Sequence, residues 1–181
     1  INGALVMLIN YAVGPAGLKD QIGRWMMGYI SEGVTNTTLS VATGVTVLGL
    51  SVLWWQGKAM DVATFSDTEA MSMGVNLARL RTLLFMVASV LAAGAVVVAG
   101  PLAFVGLICP HVARLMLGPA HRPLLLASAL LGAALIVISD MIASLLAFKV
   151  GIGLVPIGIF TAMIGGPMFL WMLRPQLGRG E

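Results

Sequence analysis

Few side chains here can do chemistry, and most of them lie in apolar surroundings. Pro110-His111-x-x-Arg114 and then His121-Arg122 punctuate the segment Gly100 to Arg122. Asp140 stands in a further apolar run, and Asp67 and Glu69 share a polar one. Histidine can move protons or bind metal, and arginine can hold an anion. The spacing argues against a reaction centre. His111 and His121 sit ten apart, unsuited to a local metal site, and no H-E-x-x-H or G-x-S-x-G occurs. Lys19, Lys58 and Lys149 follow no G-x-x-x-x-G-K-[ST] pattern, so the chain carries no P-loop ATPase of its own. A single cysteine, Cys109, forms no disulfide within the chain and is read as a packing residue. No catalytic residue and no metal site are expected.

The elements that hold these residues are membrane helices. Of 181 residues 59% are hydrophobic and 9% charged, far below the quarter usual in a soluble domain. Mean hydropathy is +1.02. Thr82 to Pro110 and Gly151 to Leu173 are free of charged side chains, and a run of about 20 apolar residues spans the hydrocarbon core as a helix. Strand-like alternation is absent, so a β-barrel is not expected. The pattern predicts an all-α, polytopic bundle: five full spans at Thr38–Trp55, Thr82–Ala99, Leu102–Leu117, Pro123–Ala147 and Gly151–Leu173, after a truncated helix Ile1–Val13. Residues 1–181 are read as one transmembrane domain with a polar segment, 56–81, inside it. Ile1–Val13 is too short to span, and no basic n-region marks a signal peptide. A cut first helix is expected there, with a short buried or interfacial helix as the alternative. Gly100-Pro101 should break the long uncharged run into a tight helical hairpin.

Basic residues set the expected orientation. Lys58, Arg79, Arg81, Arg114, Arg122, Arg174 and Arg179 fall on one side, and Lys19, Arg24 and Lys149 on the other. The richer side is assigned to the cytoplasm. The pI of about 9.5 is then a membrane signature and not a nucleic-acid one, since the basic residues flank apolar runs. Within 56–81, Ser66 and Asp67 can cap a short helix with Glu69 in its first turn, Gly74 can end it, and Asn76 can start a second short helix. Such a helix pair is either a docking surface or an ordinary solvated loop. Asp140 falls about 26 Å into its helix, near the outer surface, where it is solvated or pairs with Lys149 or Arg24. Gly158, Ala162 and Gly166 repeat every four residues and serve helix packing or line a translocation path.

The stretch "GPLAFVGLICPHVARLMLGPAHR" strongly resembles the FecCD-type permease family, the membrane subunits of ABC importers for iron-siderophores, haem and vitamin B12. The family's run, G-x-[IL]-x-F-[IV]-G-L-x-x-P-H-x-x-R followed by a D/A-H-R loop, is matched by Gly100, Phe104, Gly106, Leu107, Pro110, His111, Arg114, His121 and Arg122. "SDMIAS" is similar to A-D-x-x-A-R with Asp140 in place, and "SDTEAMSMGV" to the cytoplasmic G-E-x-x-A-R-x-L-G-V. "RWMMGYI" is similar to an external W-x-x-G, and "VPIGIFTAMIGGPMFLWML" to the final helix. The resemblance covers essentially the whole chain as the second half of a ten-helix permease.

It implies a second permease chain, identical or not, on two ATPase subunits that carry ATP and Mg. A periplasmic or lipid-anchored substrate-binding protein would feed the dimer, in a bacterial or archaeal inner or plasma membrane. The chain itself is expected to hold no cofactor, to be no enzyme and to bind no nucleic acid. Carried over by the motif, Asp67, Thr68, Glu69, Ala70, Met73 and Gly74 would dock the ATPase. Ser66 and Met71 depart from the family's glycine and arginine, and Ser144 replaces the arginine of A-D-x-x-A-R. Lys149, in what reads as a lengthened loop, and Arg24 are therefore expected to meet the binding protein. The expected cargo is an iron chelate such as a siderophore or haem; vitamin B12 and oxyanions are alternatives within the family. An ion-coupled secondary transporter and a non-transporting structural subunit are the rivals from other classes. Pro110-His111-x-x-Arg114 is expected to orient the inner end of its helix.

Overall fold

A computed structural model describes residues 8, 12, 22–23, 25–29, 34–150 and 155–177. Its helices are α1 (Asn36–Val62), α2 (Asp67–Ser72), α3 (Leu77–Ala99), α4 (Val105–Leu117), α5 (His121–Val150) and α6 (Ile157–Leu177). No strand occurs among the described residues. Most of Ile1–Val13 lies outside them, as do Lys19, Arg24, Gly151–Leu154 and Arg179.

Among the described residues α1, α3 and α5 (to Lys149) are long and apolar enough to cross a membrane, whereas α4 and Ile157–Trp171 are shorter apolar helices. The most apolar stretches of the three long helices are at most 6% buried within the chain. Val41, Leu48, Phe85, Val97, Leu130 and Phe148 all stay exposed. So much outward apolar surface is what a lipid-facing chain presents. Polar side chains on α1 are satisfied within the helix: Ser40, Thr46 and Ser51 donate to the carbonyls of Asn36, Ala42 and Val47 at 2.8, 2.8 and 2.7 Å. That return bond removes the cost of placing a hydroxyl in an apolar medium.

Helix ends follow local chemistry. Gly100 (φ 70°) terminates α3 and Pro101 prevents its continuation. The chain turns through Phe104, whose φ of 65° is unusual for a non-glycine residue, before α4 begins. Thus α4 starts at Val105 and not at Leu102, and its 13 residues reach only about 20 Å. Gly118 (φ 81°) closes α4, its N–H donating to the Arg114 carbonyl at 2.9 Å.

Other boundaries also depart from expectation, among them that of α6, which runs Ile157–Leu177 against the expected Gly151–Leu173. Helix α1 continues seven residues past Trp55 to Val62. Gln56, Lys58 and Asp61 read as solvated loop, but glutamine, lysine, alanine and methionine are good helix formers. Helix α3 starts at Leu77, so the expected second short helix is the beginning of α3 itself. At the far end, α5 runs unbroken through Lys149. The lengthened loop expected around Lys149 is therefore helix as far as Val150, and the cation sits in the last turn, where the helix dipole favours it.

The chain divides into two compact units, residues 34–95 with 106–133, and residues 1–33 with 96–105 and 134–181. Among the described residues those buried in the first are Gly57, Ala70, Leu77, Leu80, Ile108, Cys109, Ala113, Leu124 and Gly132; in the second, Gly28, Gly100, Ser139, Ala143, Ile157, Thr161 and Gly165.

Candidate functional site

The polar segment of the first unit is built around α2. Ser66 has extended backbone (φ −63°, ψ 151°) and closes a reciprocal cap. The Glu69 N–H donates to Ser66 Oγ at 3.4 Å, while the Ser66 N–H and hydroxyl donate to Glu69 Oε2 at 3.1 and 2.6 Å. These two donors hold the Glu69 carboxyl below its ordinary acidity range, the hydroxyl contributing most. At the other end Gly74 takes φ 83°. Its N–H donates to the Met71 carbonyl at 3.0 Å and that of Val75 to Ala70 at 3.1 Å, the paired bonds of a Schellman turn. Asn76 Oδ1 then accepts the Arg79 N–H at 3.1 Å and starts α3. Both ends of a six-residue helix are thereby fixed by residues the sequence singles out.

Asp67, Thr68, Glu69, Met73 and Gly74 are exposed, whereas Ala70 is fully buried. Ala70 therefore seats the helix and offers no side-chain surface. Three features went unnoticed in the sequence. Phe65 and Met71 are 56% and 66% exposed and add apolar contact area. Arg81 Nη2 lies 2.8 Å from Asp67 Oδ1, an ion pair with both side chains 64% exposed. A groove of about 500 Å³ between α2 and the start of α3 is lined by Asp67, Met71, Gly74, Asn76 and Arg81, among others.

In the same unit, residues distant in sequence form a clasp. Asp61 Oδ1 accepts the His121 backbone N–H at 2.8 Å and lies 2.7 Å from His121 Nδ1. One carboxylate oxygen thus caps the start of α5 and orients its first side chain. Arg122 Nε donates to the Trp54 carbonyl at 3.2 Å, and its guanidinium carbon lies 5.7 Å from the Trp54 ring centre. Gly57 makes room for it, since a methyl there would come within 2.5 Å of Arg122 Cγ. Trp54, Gly57 and Asp61 lie three and four residues apart, which is one face of α1. That spacing was the signal available in the sequence, hidden by the loop assigned to Gln56–Val62.

The remaining candidates do not join this cluster. His111 is half-buried on α4 and Arg114 is exposed in its last turn. Pro110 lies inside α4 and cannot donate to the Gly106 carbonyl. No group of three metal-ligating side chains occurs among the described residues.

In the second unit Asp140 and Lys149 are both exposed on α5. Nine residues of continuous helix separate them by about 13.5 Å, so of the alternatives for Asp140 the pairing with Lys149 is not formed. Pairing with Arg24, and the Arg24–Lys149 surface, lie outside the described residues in part. The close packing there is made by glycine. Gly28 (φ 80°) closes a turn on the Trp25 carbonyl at 3.1 Å. A methyl group at Gly100 would collide with the Trp25 carbonyl and one at Gly158 with that of Met27, and each would also lie within 4 Å of Gly28 Cα. The Gly158 N–H also donates to Gly28 O at 3.3 Å. Along α6 the buried stripe is Ile157, Thr161 and Gly165, with Gly165 against the Phe104 side chain. Phe104 and Phe169 form a tilted pair at 6.2 Å. Of the expected stripe Gly158, Ala162 and Gly166, only Gly158 makes a close approach of this kind; Gly166 has open space beside it.

Comparison with known proteins agrees with this architecture. A family model described as the FecCD transport family matches residues 1–175. The cobalamin import system permease protein BtuC of Halobacterium salinarum is 42% identical over 152 residues, covering 84% of this chain and 40% of that protein. The hemin transport system permease protein HmuU of Yersinia pestis is 33% identical over 177 residues, covering 96% and 51%. A solved metal-chelate type ABC transporter in an inward-facing conformation superposes with a TM-score of 0.81 at 30% identity, covering 94% of this chain and 55% of the other. The chain spans about half the length of the curated relatives it matches.

Proposed function

Since the chain belongs to the FecCD transport family, we propose that it forms the C-terminal half of a membrane permease in an ATP-driven importer. The observation that carries this reading is the capped, outward-facing α2, which presents Asp67, Thr68, Glu69, Met71 and Met73 beside a groove. A partner ATPase, carrying ATP and Mg, would seat on that surface and move it. The excess of arginine and lysine at the same end supports a cytoplasmic position for this surface, in the inner or plasma membrane of a bacterial or archaeal cell. A second permease chain completes the pathway, with the α6 face that includes Gly166 open for contact or passage. A substrate-binding protein delivers cargo at the opposite face, where Lys149 and Arg24 supply positive charge. The chain does no chemistry on its cargo.

The cargo we propose is an iron chelate, a siderophore or haem. Cobalamin is the second reading, because a relative at 42% identity is named for cobalamin import. Uptake of iron-55 haem and cobalt-57 cyanocobalamin into proteoliposomes, with the permease, its ATPase and its binding protein, separates the two. Uptake that follows a proton gradient without ATPase would make the protein a secondary transporter. Replacing Asp67 and Glu69 together by lysine should abolish ATP-driven uptake while the permease still inserts. Normal uptake by that variant would remove α2 as the docking element.

A further inference from the structure

We propose that the Asp61–His121 clasp, with Arg122 laid over Trp54 and Gly57, is a positioning device that makes α5 move together with docking helix α2. It deepens the importer reading and rests on it. Sequence ties α2 to α1 and α3 through short turns, but nothing covalent ties it to α5 except by way of α3 and α4. The clasp provides that link directly.

Asp61 stands five residues before the Ser66 cap of α2. The intervening backbone is closed by turns: Ala63 N–H donates to Ala59 O at 2.9 Å, Thr64 N–H to Asp61 O at 3.2 Å and Phe65 N–H to Val62 O at 3.2 Å. The Thr64 hydroxyl adds a bond to Asp61 O at 2.7 Å. A push on α2 therefore reaches Asp61 through a folded-up connection with little slack. Asp61 passes it to α5 through two hydrogen bonds on a single oxygen, and a carboxylate acceptor makes these stronger than neutral ones. The His121 side chain is 15% exposed and that of Asp61 42%, so the imidazole is shielded while the carboxylate keeps some access to water. The exposed Arg81–Asp67 pair braces α2 against α3 far more weakly. Two turns back along α1, the Arg122–Trp54 contact stops α5 from rotating about the Asp61 bond. Asp61, His121 and Arg122 are thus positioning residues, acting through α2 and touching neither nucleotide nor cargo.

The test uses the intact permease with its ATPase in proteoliposomes, spin-labelled at Ser72 on α2 and Leu126 on α5, both exposed. In the unaltered complex the distance between labels should be the same with and without bound ATP. With Asp61→Ala the ATPase should remain bound and hydrolyse ATP, but the distance should change on ATP binding. Haem or cyanocobalamin moved per ATP hydrolysed should fall by about tenfold or more, tenfold being the factor that loss of even one of the two charge-assisted bonds implies. Asp61→Asn, which keeps the acceptor oxygen, should restore much of the coupling. A nucleotide-independent distance and normal coupling in Asp61→Ala would overturn the proposal. So would parallel loss of ATPase binding and uptake, which would make the clasp a mere folding element. An unaltered complex that binds no ATPase would remove the importer reading itself, and the role of the clasp with it.

Discussion

The two compact units are held together by opposite means. In the first, the decisive contacts are made by polar side chains: Asp61 on His121, Arg122 on Trp54, Ser66 with Glu69, and Asp67 with Arg81. In the second, backbone meets backbone where Gly28, Gly100 and Gly158 leave no room for a side chain. Side-chain contacts reach across gaps, tolerate small shifts and can be broken one at a time. A glycine contact has no such reserve, because the next atom outward is a carbonyl that cannot rotate away. The difference suits a unit whose proposed task is to receive motion and another whose helices must keep fixed spacing.

The sharpest way to break this contrast is a methyl group. Gly100→Ala should cost about 2–4 kcal/mol, combining a left-handed φ for a non-glycine residue with overpacking on the Trp25 carbonyl. Gly158→Ala meets the Met27 carbonyl without a positive φ and should cost less, on the order of 1–3 kcal/mol. Gly94→Ala, which meets nothing within 4 Å, should be neutral or mildly stabilising. Thermal unfolding of the three variants in detergent would rank them, and equal losses would sink the glycine-contact account.

Smaller effects belong to the polar unit. Ser66→Ala should cost α2 about 1 kcal/mol of local stability, read by hydrogen exchange of the Ala70 to Val75 amides. The same cap makes α2 acid-sensitive. Because Glu69 has its carboxyl acidity strengthened in the folded cap, its contribution is present above its ordinary value of 4.5 and fades as pH falls through the lower folded value. Exchange at α2 should therefore be steady near neutrality and rise only in acid, once the pH dependence of intrinsic exchange is removed. Least of all, Arg81→Gln should change stability by about 0.2–1 kcal/mol, with the difference shrinking in high salt.

Much of this was legible before the fold. The caps at Ser66 and Asn76, the Gly74 ending and the break at Gly100-Pro101 depend on neighbours three or four residues away, and a linear reading recovers such contacts. The Asp61–His121 bond spans 60 residues and the Arg122–Trp54 bond 68; neither leaves a local trace. The same holds for Gly165, buried against Phe104 one position from the expected Gly166. In water, the apolar stripe of a helix tells which face turns inward. In these helices apolar residues run all the way round, since lipid and protein interior accept the same side chains. The chain by itself therefore determined that it is a bundle of membrane helices, of which family, and where α2 is capped and α3 and α4 end. Tertiary structure alone decided which faces meet, because that choice rests on the shape of glycine gaps and the reach of a few polar side chains.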